Sequence, residues 1–294
     1  MSKTTPFTIV TILIGAVVIA TGCGAPASNT STNTANRNSN SATANSNVNT
    51  NTTNSMTTTV ETSEPTQYEA KVTIKLEAIG SQQTVAMPTL GATVARNAAD
   101  RRMEFTMPAG GRVVYLDKAG TNYIILPDKK QYAEVNREST GFEIRRMLMP
   151  EQIVQQVKSM QGLERVGEEQ YNGRTVTRYK YAAVANTQTQ AGQVQTDSFL
   201  LVDKETGLPL RSETLSQASG SVQGYSGVRV VTEIADVKTT VGPELFELPQ
   251  GLQKIESEQV RAQIDMIFNA VAQIVTQMLK QGQSAPANTG GTPQ

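Results

Sequence analysis

Several residue types that commonly carry chemistry are missing or scarce in this chain of 294 residues. It has no histidine, so it lacks the commonest general base and the commonest transition-metal ligand. Cys23 is the only cysteine, which excludes an intrachain disulfide. Tryptophan is absent and aromatic residues make up only 5%, which disfavours an aromatic platform for carbohydrate. The chain also has no excess of either charge, since 26 Lys and Arg balance 26 Asp and Glu, so nucleic acid is not an expected partner.

The familiar catalytic motifs are also missing. There is no Gly-x-Ser-x-Gly elbow, no phosphate-binding loop, no dinucleotide fingerprint and no Ser-x-x-Lys. The aspartates are scattered, mostly in turn contexts, where solubility explains them: Asp100, Asp117, Asp128, Asp197, Asp203, Asp236 and Asp265. The sequence therefore predicts a protein that is not an enzyme and that holds neither a cofactor nor a metal.

The N-terminus has the features of an export signal. Lys3 precedes an apolar run over 9–19, and the small residues Thr21 and Gly22 lead into Cys23. This ending resembles the bacterial lipobox, whose cysteine is acylated and becomes the first mature residue. The alternatives are an ordinary signal peptide with a chance cysteine, or an uncleaved anchor. We expect a signal peptide over 1–22 and lipidation of Cys23. Gly24 is not the aspartate that retains lipoproteins at the inner membrane, so the periplasmic face of the outer membrane is preferred for a host with two membranes.

A low-complexity stretch follows the cysteine. Between positions 28 and 59, 26 of 32 residues are Asn, Ser or Thr, and Arg37 is the only charge. Such a composition cannot bury enough apolar surface to offset chain entropy. We predict a disordered tether over 23–66, whose 28–59 stretch, as a flexible coil, spans on the order of 30 Å. The only charged residue within 1–22 is Lys3, so after cleavage the mature chain has 25 Lys and Arg against 26 Asp and Glu.

The part from 67 to 255 is dominated by strand patterns. Over 71–77, Val72, Ile74 and Leu76 alternate with polar residues, which is typical of a half-buried strand. Asn172-Gly173 is the strongest two-residue hairpin signal. Further strands are predicted at 102–107, 112–117, 122–127, 131–135, 163–170, 174–181, 198–202, 208–215 and 228–237. Short strands at this spacing predict one large antiparallel sheet, curved or partly closed.

Two segments have helical periodicity. Pro150 precedes a stripe of apolar residues within 151–160. The segment 256–281 has a heptad-like seam: Val260, Ile264, Ile267, Val271, Ile274 and Met278. The seam fits packing on the protein's own sheet, or docking of a protein partner or a second copy. Residues 282–294 are predicted to be a disordered tail.

The order of these parts resembles a known family. Three segments carry the resemblance: the hairpin at 169–179, the Asp-turn-Gly-Leu-Pro hairpin at 199–211, and Leu-Phe-Glu-Leu-Pro within 245–251. They are similar to the LolA/LolB-like lipoprotein carriers and receptors, including the mycobacterial lipid-carrier lipoproteins. The resemblance covers about 68–255. It implies a mainly β, α+β fold: a strongly curved, unclosed half-barrel with a mid-chain lid helix and, beyond the family pattern, a C-terminal helix.

The resemblance also implies an apolar cavity for acyl chains of lipids or lipoproteins. Flexible methionines suit such a pocket, although ordinary core filling explains them as well. We predict that the pocket is lined by Met103, Phe105 and Met107 on the sheet and by Leu148, Met149, Ile153, Val157 and Met160 on the lid. The expected function is that of a membrane-anchored, non-catalytic carrier or acceptor of acyl chains in the cell envelope. The alternative is an envelope sensor or interaction module with a filled core and a partner-docking C-terminal helix.

Overall fold

The computed structural model describes residues 59–80, 83–106, 111–135, 148–186, 190–222, 224–263 and 266. Within them thirteen strands belong to one sheet, which is curved and unclosed. The strands are β1 Gln67–Gly80, β2 Thr84–Ala86, β3 Leu90–Asn97, β4 Asp100–Thr106, β5 Arg112–Lys118, β6 Thr121–Leu126, β7 Gln131–Val135, β8 Glu164–Tyr171, β9 Arg174–Asn186, β10 Gln193–Asp203, β11 Pro209–Val222, β12 Tyr225–Lys238 and β13 Gln253–Lys254. Helix α1 spans Pro150–Ser159, 3-10 turns lie at Pro127–Lys129 and Pro243–Phe246, and residues 257–263 are helical. The predicted α+β class with an unclosed sheet is confirmed.

The sheet consists of two runs of antiparallel strands joined at one seam. Its order is β13-β7-β6-β5-β4-β3-β1-β12-β11-β10-β9-β8, and β2 pairs with β1 off this path. Strands β1 to β7 form one run and β8 to β12 the other. Antiparallel pairing of β1 with β12 joins the two, with Val72 opposite Ile234 and Leu76 opposite Val230. The first and last long strands are therefore neighbours.

Tight turns follow the expected chemistry. Asn172 and Gly173, between β8 and β9, both have positive φ, at 48° and 77°. Ala119 and Gly120, between β5 and β6, have φ of 51° and 81°. Two consecutive positive φ values match the right-handed twist of the flanking strands, which is why such turns close two-residue hairpins. The hairpin predicted at Asn172-Gly173 is confirmed.

The sequence pattern does not predict three of the strands. β3 runs through small residues, Gly91 and Ala92 among them, and lacks the alternation of large apolar and polar side chains. It forms because β1 and β4 pair with it on either side. β2 has three residues, and β13 has two that pair in parallel with β7. Tertiary pairing, not local propensity, creates these strands.

Helix α1 belongs to the connection that leads from β7, near one edge of the sheet, to β8 at the other edge. From Val135 at the end of β7 the chain must reach Glu164 at the start of β8, which is separated from β7 by ten strand spacings, about 48 Å if the sheet were flat. The helix begins at Pro150, whose missing N–H costs nothing at a first helical position. Glu151 in its first turn and Lys158 in its last turn complement the helix dipole. Its Ile153 and Val154 are buried against the sheet.

The turn after β10 is organised by a buried carboxylate. Asp203 is only 1% exposed, and its Oδ2 accepts hydrogen bonds from the Thr206 backbone N–H (3.2 Å) and hydroxyl (2.5 Å). The Arg174 guanidinium donates to the same oxygen at 2.9 Å. Arg174 also reaches Glu205 at 3.3 Å, but Glu205 is 75% exposed. The aspartate predicted as a turn residue is thus a buried anchor of the turn.

Replacing Asp203 with Ala should lower the free energy of unfolding by about 2–4 kcal/mol. The Thr206 N–H and hydroxyl lose their acceptor, and Arg174 loses its buried ion-pair partner. Glu205→Ala is the matched control. It removes the exposed partner of the same arginine and should change stability by less than about 1 kcal/mol. Urea denaturation measures both, and equal effects would contradict the role assigned to Asp203.

Candidate functional site

One face of the sheet carries most of the main apolar cluster. Cross-strand partners share a face, and a single row of paired residues runs across six strands: Ala70, Val94, Met103, Tyr115, Ile124 and Ala133. Every member of the row is buried. Ile153 and Val154 of α1, with Leu148 and Met149 just before it, belong to the same cluster. We call this side of the sheet the helix face.

The structure brings most of the predicted pocket residues together. Met103 and Phe105 share the main cluster with Leu148, Met149 and Ile153. Val157 and the partly buried Met160 belong to a neighbouring cluster instead, which also contains Leu200 and Tyr179. Met107 lies outside the described residues. Two pockets formed by described residues, of about 410 and 390 Å³, lie around the 203–207 turn, are lined mainly by polar residues and include none of the predicted lining residues.

A strap formed by residues 59–66 precedes β1, within the stretch predicted as tether. Val60 is 5% exposed and belongs to the cluster of Val157 and Leu200. The Thr62 hydroxyl and the Ser63 N–H both donate to the carbonyl of Gly207, at 2.8 and 2.9 Å. The strap therefore packs beside α1 on the helix face.

A polar network connects the strap, the sheet and α1. Glu64 accepts from the Tyr68 hydroxyl at 2.7 Å and from Arg96 Nη1 at 2.6 Å. Arg101 Nη2 lies 3.5 Å from Glu64, and its Nε forms an ion pair with Glu151 of α1 at 2.7 Å, without the alignment of a hydrogen bond. Burial, and then the adjacent Glu64 carboxylate, raise the pKa of Tyr68 above its usual range, so its hydroxyl remains a donor. The network fixes the first turn of α1 to β4.

Towards β9–β12 the helix face changes character. Several side chains there are only partly buried, and we call seven of them the open strip: Leu76, Tyr181, Ser198, Thr214, Ser216, Val228 and Val230. One row of it pairs Tyr181, Ser198, Thr214, Val230 and Leu76 in turn. The Ser198 hydroxyl donates to Thr214 at 2.8 Å, and Ser216 pairs with the buried Thr196 at 3.0 Å. The hydroxyls thus bond to one another across strands, and the strip contains no charged residue.

The opposite face of the same strands is charged. Arg229 lies 3.5 Å from Glu77 and 3.6 Å from Glu213, and Arg211 lies 3.0 Å from Glu213. The Arg178 guanidinium lies over the Phe199 ring, 4.8 Å from its centroid. This face combines ion pairs with the buried Leu201, whereas the open strip has no charged side chain.

Sequence reasoning missed the open strip, although a signal exists. In 211–216 charged or large residues alternate with Ser212, Thr214 and Ser216. Small hydroxyl residues look like solvent-facing positions in a sequence. Only the register shows that they share a face with Val72 and the apolar cluster.

The remaining predicted residues are placed only in part. Val260 is fully buried and belongs to the main cluster of the sheet. The other seam residues, Ile264, Ile267, Val271, Ile274 and Met278, lie outside the described residues, as does Cys23. Among the described residues no helix is long and apolar enough to cross a membrane, and no three acidic side chains or other metal ligands converge.

Comparison with known proteins finds only distant structural likeness. No family model and no curated protein matches the chain. An uncharacterized conserved protein from Thermus thermophilus is 16% identical, with 65% of this chain and 90% of that chain covered and a TM-score of 0.30. The lipoprotein LppX of Mycobacterium tuberculosis is 11% identical, with 59% and 88% covered and a TM-score of 0.30. LprF from Mycobacterium bovis is 10% identical, with 64% and 90% covered and a TM-score of 0.33.

These neighbours include a mycobacterial lipoprotein, in agreement with the resemblance found in the sequence.

Removing the Glu151 carboxylate should loosen α1. In the Glu151→Ala variant, α1 loses its ion pair to Arg101, so the free energy needed to open the helix should fall by about 1 kcal/mol. Amide hydrogen exchange over 153–157 should therefore become faster. Exchange in β11 and β12 should not change. Lys158→Ala, at the other end of the helix, is the control, and equal acceleration by both variants would show that the network does not hold α1.

Proposed function

We propose that this protein is a membrane-tethered lipoprotein of the cell envelope that holds acyl chains of lipids or lipoproteins on the helix face of its sheet, without catalysis. The observation that carries the proposal is the open strip, an uncharged and partly exposed surface that continues the buried apolar cluster. The lipobox-like sequence at Cys23 supports the envelope address.

The chemistry of the strip suits an acyl chain. Leu76, Val228 and Val230 offer apolar contact, and each methylene moved from water contributes about 0.8 kcal/mol. The hydroxyl pairs Ser198–Thr214 and Thr196–Ser216 already satisfy one another, so an acyl chain lying over them leaves those bonds intact. From β9 to β1 the strip crosses four strand spacings, about 19 Å, comparable with an extended fatty acyl chain.

Two adjacent residues of β12 test the proposal. Val230 lies on the open strip and Val231 on the charged face, and both are partly buried. Val230→Gln should weaken uptake of a fluorescent fatty acid roughly tenfold, because an amide would lose its water beneath the acyl chain. Val231→Gln should bind like the unaltered protein.

The purified full chain should also carry lipid that mass spectrometry detects. Absence of co-purified lipid together with absence of fatty-acid uptake would overturn the proposal. If the two glutamine variants bound the fatty acid equally well, the open strip would not be the binding surface.

The anchor has its own test. Cys23→Ser should abolish incorporation of labelled palmitate, because serine offers no thiol for acylation. Thr21→Ser, two residues earlier, should leave labelling intact. Labelling of the Cys23→Ser chain would show that Cys23 is not the anchor.

A further inference from the structure

One part of the chain is free of charge over three long stretches. Residues 78–95, 181–196 and 214–228 contain no Asp, Glu, Lys or Arg, although 18% of the whole chain is charged. Their composition is mainly Ala, Ser, Thr, Gln, Gly and Val. Three separate stretches share one property, which points to a common environment.

The register of the sheet places 181–196, 214–228 and the first part of 78–95 at the same end, whereas Leu90 to Ala95 pair with Ile74 to Glu69 towards the other end. Ala78 lies opposite Val228, Val228 opposite Ser216, Ser216 opposite Thr196, and Thr196 opposite Ala183. Beyond this row the strands end at Gly80, Asn186 and Val222. We call this region the uncharged end.

The other end of the same strands is charged. The turn after β10 has Asp203, Lys204 and Glu205, and the end of β12 has Asp236 and Lys238. The asymmetry therefore runs along the strands and is independent of the difference between the two faces. Solubility alone does not require charged residues to be missing from one end of the strands.

The composition of the uncharged end fits a lipid surface better than a protein. Charged side chains pay a large penalty on leaving water for lipid, and small uncharged ones pay little. Val184, on the β9–β10 hairpin, is 62% exposed, so an apolar side chain is already presented to the surroundings. Protein interfaces are enriched in Arg and aromatic residues, whereas the three stretches contain no Arg, and of their two aromatic residues Tyr225 is buried and Tyr181 is partly buried.

The open strip begins at this end. Ser216 and Val228, which belong to the strip, lie in the same row as Ala78 and Ala183. We propose that the uncharged end docks on the uncharged lipid surface of the membrane to which Cys23 anchors the chain, so that an acyl chain passes between the bilayer and the open strip. This inference rests on the proposed function.

Because the chain has no tryptophan, a single introduced tryptophan reports its own surroundings. The acylated full chain is placed in phosphatidylcholine vesicles containing dibrominated phosphatidylcholine, which quenches tryptophan in the bilayer. The Val184→Trp variant should lose most of its emission. The matched probe Asn172→Trp, in the hairpin at the charged end, should keep it. Equal quenching of the two probes, no quenching of either, or quenching of Asn172→Trp alone would overturn the docking.

A charge test separates docking from the affinity of tryptophan itself. In the Val184→Trp chain, Thr84→Asp, Asn186→Asp and Gln217→Glu place one acid in each uncharged stretch and should abolish the quenching. The control adds three acids at the opposite end, Thr121→Asp, Asn172→Asp and Thr240→Asp, and should retain it. All six positions are exposed, and circular dichroism checks folding. Quenching that survives the first triple change would overturn the docking, since tryptophan alone would then cause it.

Fatty-acid uptake measured on the same samples separates the two proposals. Uptake without quenching refutes the docking and leaves the proposed function intact. Quenching without uptake refutes the proposed function and leaves a lipid-docking surface.

Discussion

The pairing of β1 with β12 is the contact on which the rest of the structure depends. It joins two hairpin-linked runs, which would otherwise be separate sheets, through a register that extends from Glu69 opposite Lys238 to Gly80 opposite Tyr225. A slip of one residue would turn every side chain of one run to the other face. The apolar row through Val94 and Met103 and the open strip around Val230 share a face only because this register holds.

An unclosed sheet has two edges, and each is protected differently. β8, at one edge, carries Glu164, Arg165, Glu168 and Glu169, and charged edges resist pairing with other chains. At the other edge, β13 pairs with β7. Since β7 lies next to one edge and β8 forms the other, the connecting chain carries α1 between them, and α1 packs on the helix face. The position of the predicted lid thus follows from the topology.

Much of the fold is encoded locally. The alternation in 71–77, the Asn172-Gly173 turn and the Pro150 helix start each predict their element, because side-chain period and turn conformation are local properties. β3 and the open strip are not encoded in this way. Gly91 and Ala92 form a strand because neighbours pair with them, and Ser198 and Thr214 acquire a shared face through residues distant in sequence. Single-sequence reasoning identifies large apolar residues such as Met103 and Leu148, but overlooks a surface built from small ones.

The two asymmetries of the second run of strands place different constraints on the sequence. Alternation along β12, with Arg229 and Glu233 on one face and Val228 and Val230 on the other, sets the character of the faces. The loss of charge towards 214–228 acts along the strand and leaves this alternation in place. Folding alone accounts for the first, because one face of a sheet must be apolar to pack. It does not account for the second, since exposed hairpin ends fold equally well with charges. Charge-free ends in three hairpins that meet only in the folded sheet therefore indicate a constraint from outside the molecule, and the proposed lipid surface beside the open strip would supply one.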